Sequence, residues 1–126
     1  MTFDSFDVVV VPFPFSERPG TKRRPALVLT RRSFNDRARH TALAMITTKA
    51  DPPWPGDTAL ADFAAAGLAR PCVIRLKLFT LDNRLIVRKL GALARSDRGS
   101  VAAVLRAHVG ALSTGTGSGS RRSRRA

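Results

Sequence analysis

The sequence predicts a mainly β fold: a small, partly open barrel with helices packed at its side and a helix near the C-terminus. Three observations carry this expectation. Short apolar or alternating runs recur between residues 7 and 91, helical spacing dominates only after them, and Pro and Gly punctuate the intervals.

The elements follow in order. Residues 7–13 (DVVVVPF) and 25–30 (PALVLT) are Val- and Leu-rich runs suited to buried strands. Pro12 and Pro14 lie two apart, so both missing N–H groups fall on one side of the first strand, which an edge or a strand end tolerates. Further strands are expected over 41–47 (TALAMIT), 58–61 (TALA), 73–79 (VIRLKLF) and 85–91 (LIVRKLG). A short helical turn is expected at 61–66 (ADFAAA), ended by Gly67. Over 98–112, Val101, Val104, Leu105, Val109 and Leu112 share a helical face, with Ser96 or Asp97 placed to cap its start. The Gly/Ser/Thr/Arg-rich residues 113–126 cannot bury apolar area, so a folded domain over 1–112 and a disordered basic tail are expected.

Charge is the outlier. The chain carries 22 Lys and Arg against 9 Asp and Glu, a net +13. Four of the arginines lie in the last fourteen residues with no acid among them, and removing these four from +13 leaves +9 on the folded body. Such a surface repels itself unless an anion uses it, and nucleic acid is the commonest such partner. A membrane surface ranks below, because no helical segment joins a basic face to a strongly apolar one. The single cysteine, Cys72, excludes an intramolecular disulfide, and with two histidines it offers no Cys/His zinc site. Neither a metal nor a cofactor is expected. The N-terminus lacks a signal-peptide pattern and no apolar run reaches spanning length, so a soluble, cytoplasmic protein is expected.

The loop SERPGTKRRP, residues 16–25, is too long for a plain hairpin and is loaded with charge. Arg24 precedes Pro25, which biases it to extended backbone where a strand begins. A guanidinium held there donates two parallel hydrogen bonds and so suits a phosphate. By charge alone the solvated basic loop is the favoured reading, ahead of a phosphate site. Thr47 and Thr48, beside Lys49, end the third strand; threonine is also an ordinary strand residue.

In order and spacing, FDVVVVPFPF, KRRPALVLT, RSFN, ALAMITT, AGLARPCVIRLKLFTL and LIVRKLGAL resemble the MazF/PemK family of toxin endoribonucleases, from about residue 5 to 112. The resemblance implies an SH3-like barrel of the CcdB/MazF/PemK type, a homodimer, and metal-free, sequence-specific cleavage of single-stranded RNA: an mRNA interferase. It implies a cognate antitoxin with an acidic, disorder-prone segment. The family's catalytic Arg precedes the proline opening the second strand, matching Arg24; its catalytic hydroxyl follows the isoleucine ending the third, matching Thr47. Glu17 matches an acidic residue of the same loop, and Thr48 stands as a supporting hydroxyl. Lys22, Arg23, Lys49, Arg75, Lys77, Arg88 and Lys89 are candidate RNA contacts, with a charged outer face as the other reading of the last four. Cys72 stands where relatives commonly carry Ser.

Such a site is chemically sufficient in outline. RNA supplies its own nucleophile, the 2′-OH, and the protein supplies alignment and stabilisation of charge on the phosphorane. A guanidinium keeps its proton at neutral pH, so Arg24 is read as an electrostatic stabiliser and proton donor rather than a base. His40 lies at the opposite end of its strand from Thr47, and His108 falls among the leucines of the last helix, where half-buried packing is expected. Trp54, between prolines, fits base stacking or antitoxin docking as well as cover for the barrel mouth. Phe13 and Phe15 are expected to close the barrel end, with the border of the RNA groove as the alternative for one of them. Two rival classes share the fold: a non-catalytic nucleic-acid-binding barrel, and a gyrase-inhibiting toxin that has no need of Arg24.

Overall fold

The computed structural model describes residues 2–13, 20, 22–48 and 52–112. Strands β1 (Asp7–Phe13), β2 (Lys22–Val28), β3 (His40–Thr47), β4 (Thr58–Ala59), β5 (Val73–Asp82) and β6 (Arg88–Ala92) form one curled antiparallel sheet in the order β4-β5-β3-β2-β1-β6. Helix α1 (Arg32–Ala38) joins β2 to β3, and α2 (Arg95–His108) follows β6. No helix among the described residues is long and apolar enough to cross a membrane.

Alternation along the strands builds two cores, one on each face. Val8, Leu27, Ala44, Ile46 and Ile74 face one way and pack with Leu60, Ala66, Leu93 and Val101 of α2. Val9, Val11, Ala26, Val28, Leu43 and Leu81 face the other way under Phe3. Side chains two apart on a strand share a face, so each strand feeds both layers. The Val-rich β1 is buried on both faces, as its unbroken apolar run requires. Pro12 causes no conflict, because β6 pairs only with Asp7–Val10 and ends before it.

Two glycines let the 63–67 turn press against β6. A Cβ on Gly67 would stand 2.2 Å from the Leu90 carbonyl oxygen, and its φ of +78° is the left-handed region. A Cβ on Gly91 would meet the Ala65 carbonyl oxygen at 2.7 Å. Backbone packs on backbone there, and only glycine permits that distance.

Several elements depart from the sequence expectation. The 61–66 segment makes hydrogen-bonded turns rather than a helix, although Gly67 ends it as expected. Helix α2 starts at Arg95, with Ala94 at the N-cap and no side-chain cap; Ser96 and Asp97 lie inside the helix. The buried Asp97 carboxylate instead receives the Ala61 and Asp62 amides, both at 2.9 Å, and ties the helix to the turn beneath it. Helix α2 stops at His108, and residues 110–112 form a separate 3₁₀ turn.

Helix α1 had no counterpart in the sequence reading. Its anchor is the fully buried Asn35, whose amide donates to the Phe3 and Thr30 carbonyls at 2.9 and 3.0 Å while Thr30 Oγ1 donates to Asn35 Oδ1. Asn83 continues the network: its amide donates to the Asn35 carbonyl (2.8 Å), and Thr41 Oγ1 donates to its Oδ1 (2.7 Å). Tertiary hydrogen bonds, not an apolar stripe, hold this short helix. The tail over 113–126 lies outside the described residues.

Candidate functional site

The β2–β3 pairing runs Ala26↔Met45, Leu27↔Ala44 and Val28↔Leu43. Carried two residues toward the start of β2, this register sets Arg24 level with Thr47 on adjacent strands. Strand neighbours lie about 4.8 Å apart, and level residues share a face. Thr47 in turn pairs with Val73 of β5, and Met45 with Arg75. The same face therefore carries two rows across three strands, Arg24–Thr47–Val73 and Ala26–Met45–Arg75, and ends at Val28–Leu43–Phe79 in the core.

Local sequence explains why Arg24 is available. Lys22, Arg23 and Arg24 pair with Phe13, Pro12 and Val11 of β1, so β1 alone keeps this charged half of β2 extended. Pro25 has no N–H to offer β3, and the β2–β3 ladder begins only after it. Arg24 is exposed, with its guanidinium 5.4 Å from the Phe13 ring centroid, a cation–π distance. Thr47 is half-buried at the end of β3, and Thr48 follows it, exposed. Phe13, Met45, Lys77, Leu78 and Phe79 line a dimple of about 140 Å³ on this face. Two larger depressions lie by α1 and the β5–β6 connection, at the opposite end of β3.

The other sequence-nominated cations divide. Lys22 alternates onto the Arg24 face, and Lys77, within the irregular stretch of β5, lines the dimple beside Met45. Arg23, one residue off, points to the other side, and Arg88, level with Val10 and Pro25, does likewise. Lys89 is held to Asp7 at 3.2 Å, near the far end of β1. The Arg75 guanidinium is gripped by Asp57, Nε at 3.0 Å and Nη2 at 2.8 Å. That double hydrogen bond holds the Asp57 carboxyl below its ordinary value and raises Arg75. Glu17 and Lys49, like Phe15, lie outside the described residues.

Neither histidine approaches this group. His40 opens β3, seven residues from Thr47, and its Nδ1–H donates to the Ala38 carbonyl at 3.1 Å. His108 ends α2, which packs on the other face; it is exposed rather than half-buried, with Nδ1–H on the Val104 carbonyl at 3.0 Å. Burial pushes the Cys72 thiol up, consistent with a packing role in the α2-side core. The described residues hold no cluster of three His, Cys, Asp or Glu fit for a metal ion. Sequence reasoning named Arg75 and Trp54 separately but missed Asp57 and the contacts that join the three. Asp57, before β4, and Arg75, in β5, are eighteen residues apart, and no local pattern links them.

Residues 4–109 match the family model for the PemK-like, MazF-like toxin of type II toxin–antitoxin systems. The chain belongs to this family. The solved structures agree in fold. A MazE–MazF complex from Deinococcus radiodurans superposes with a TM-score of 0.69 at 21% identity, covering 87% of this chain and 98% of that one. MazF alone from the same organism gives 0.67 at 24% identity with the same coverage. An endoribonuclease in complex with its cognate antitoxin, from a mycobacterial species, gives 0.65 at 15% identity, covering 86% and 94%. At these identities the structures establish a common architecture, a mainly β half-barrel with a helix near the C-terminus. No curated protein sequence matches the chain significantly.

Proposed function

We propose that this toxin is an endoribonuclease that cuts single-stranded RNA without a metal, the 2′-OH attacking the adjacent phosphorus. The new P–O2′ bond forms as the P–O5′ bond breaks, leaving a 2′,3′-cyclic phosphate and a 5′-OH. Arg24 acts chiefly as the electrostatic stabiliser of the charge on the non-bridging oxygens and secondarily as proton donor to the departing O5′. The O2′ proton passes to water, with no side chain assigned as general base, and water restores the proton to Arg24. Thr47, through its hydroxyl, holds the phosphate in line. Thr48 and Glu17 are assigned supporting roles, and Lys22 and Lys77 attract the strand's phosphates.

The observation that supports this reading is the β2–β3 register, Ala26↔Met45 to Val28↔Leu43, which carried two residues on sets Arg24 level with Thr47. A charge donor and an aligning hydroxyl on adjacent rigid strands are what a self-cleaving linkage requires. Family membership and the excess of positive charge support it from separate directions. On this reading the partners are single-stranded RNA, a second copy of the chain, and an acidic antitoxin segment that covers the basic face.

The test is cleavage of a long single-stranded RNA by purified protein in EDTA, with the ends mapped. The expected result is discrete cuts bearing cyclic phosphate, lost in Arg24→Ala. Retarded but intact RNA would favour a binding module, and unbound, uncut RNA with inhibition of gyrase would favour a protein-directed toxin.

A further inference from the structure

The 52–57 loop is tied down more firmly than a solvated loop requires. Besides its two bonds to Asp57, Arg75 donates to the Pro52 carbonyl at 3.2 Å. The Trp54 backbone N–H donates to Asp57 Oδ2 at 3.1 Å, and its indole Nε1–H donates to the Leu76 carbonyl at 3.3 Å. The ring lies 5.8 Å from the Arg75 guanidinium and 5.4 Å from Lys77 Nζ. The indole is therefore oriented before any ligand arrives, yet 38% of the residue stays open to solvent. A large aromatic fixed in place but unburied forgoes hydrophobic stabilisation and offers a contact surface with little entropy left to lose.

Its neighbours indicate what that surface meets. Arg75 shares a face with Met45, in the row beside Arg24–Thr47. Lys77 lines the dimple with Phe13 and Met45, and Phe13 carries the Arg24 guanidinium. Aromatic and cationic groups alternate across the sheet from Arg24 to Trp54. This is the pattern that holds single-stranded nucleic acid, with bases stacked on rings and phosphates met by cations.

We propose that Trp54 is a stacking platform for one nucleobase of the RNA, next to the linkage held by Arg24 and Thr47, with Lys77 meeting a flanking phosphate. Asp57 is a positioning residue: through Arg75 it fixes the angle of the indole. The inference rests on the RNA-cleaving reading above.

Trp54 is the sole tryptophan and the chain has no tyrosine, so indole emission reports this residue alone. The experiment titrates the intact protein with a 2′-fluoro-substituted single-stranded oligonucleotide, which lacks the attacking hydroxyl. Saturable quenching is expected, abolished by an abasic unit at one position near the cut. On cleavable RNA, Trp54→Ala is expected to raise KM by about ten- to a hundredfold, with the loss on KM rather than kcat, and Trp54→Phe to recover most of it. Cleavage with an unquenched indole would overturn the platform and leave the nuclease reading intact. RNA neither bound nor cut by the wild-type chain would remove both.

Discussion

The two faces of the sheet are made from alternate residues of the same strands and have opposite fates. On β2, Leu27 points into the core under α2, while Arg24, three residues earlier, stands exposed on the other side. On β3, Ile46 is buried, and its neighbour Thr47 belongs to the row with Arg24. The α2-side face carries the apolar core closed by helix and turn, with Arg23 and Arg88 at its margin. The opposite face begins as a second core under Phe3 and runs out into Lys22, Arg24, Thr47 and Lys77. A period of two lets one short strand bury one set of side chains for rigidity and leave the other set open to solvent or a ligand.

Substitutions on the two sides should therefore separate stability from activity. The largest expected effect is Arg24→Ala, a loss of roughly a hundred- to a thousandfold in cleavage rate with an unchanged denaturation midpoint, since an exposed side chain is removed. Leu27→Ala is its mirror: about 2–5 kcal/mol of stability lost in urea titration, with cleavage per folded molecule retained. If Leu27→Ala abolished cleavage in the folded fraction, the division between faces would fail. Gly67→Ala sharpens the packed side further, costing about 2–4 kcal/mol because its Cβ would meet the Leu90 backbone from a left-handed conformation. Asn35→Ala comes next at about 2 kcal/mol, by taking the donor from the buried Phe3 carbonyl and from the part-buried Thr30 carbonyl.

Acid should loosen the open face at one identifiable place. Arg75 holds the Asp57 carboxyl below its ordinary 3.8. A lowered carboxyl stabilises the fold above its ordinary value and loses that contribution as pH falls through the lowered one. Trp54 emission should shift in that acid range, and Asp57→Asn should remove the shift while lowering the thermal midpoint by a few degrees.

What the sequence made legible follows the same division. Strands β1 and β3 were readable because Val, Ile and Leu keep a strict strand pattern where both faces are buried. Strand β2 begins three residues before the apolar run, since pairing with β1 extends Lys22–Arg24 where composition gives no signal. Helix α1 was invisible for a related reason: Asn35 reaches partners on three other segments, and no local periodicity records that. Arg24 and Thr47 could be nominated from motif order, but their common level needed the strand register. The attachment of Arg75 to Asp57 and of Lys89 to Asp7 is likewise a product of topology, as charge counting treats every lysine and arginine alike.

The central claim is that Arg24 and Thr47 act on one phosphate. A double-mutant cycle on the single-turnover cleavage rate at one mapped site tests it, using Arg24→Ala, Thr47→Ala and the pair together. Groups that share a transition state are strongly non-additive, so the double variant should be little slower than Arg24→Ala alone. If the two losses simply multiply, or if Thr47→Ala cleaves at the wild-type rate, the two residues do not work on the same linkage and the account is wrong.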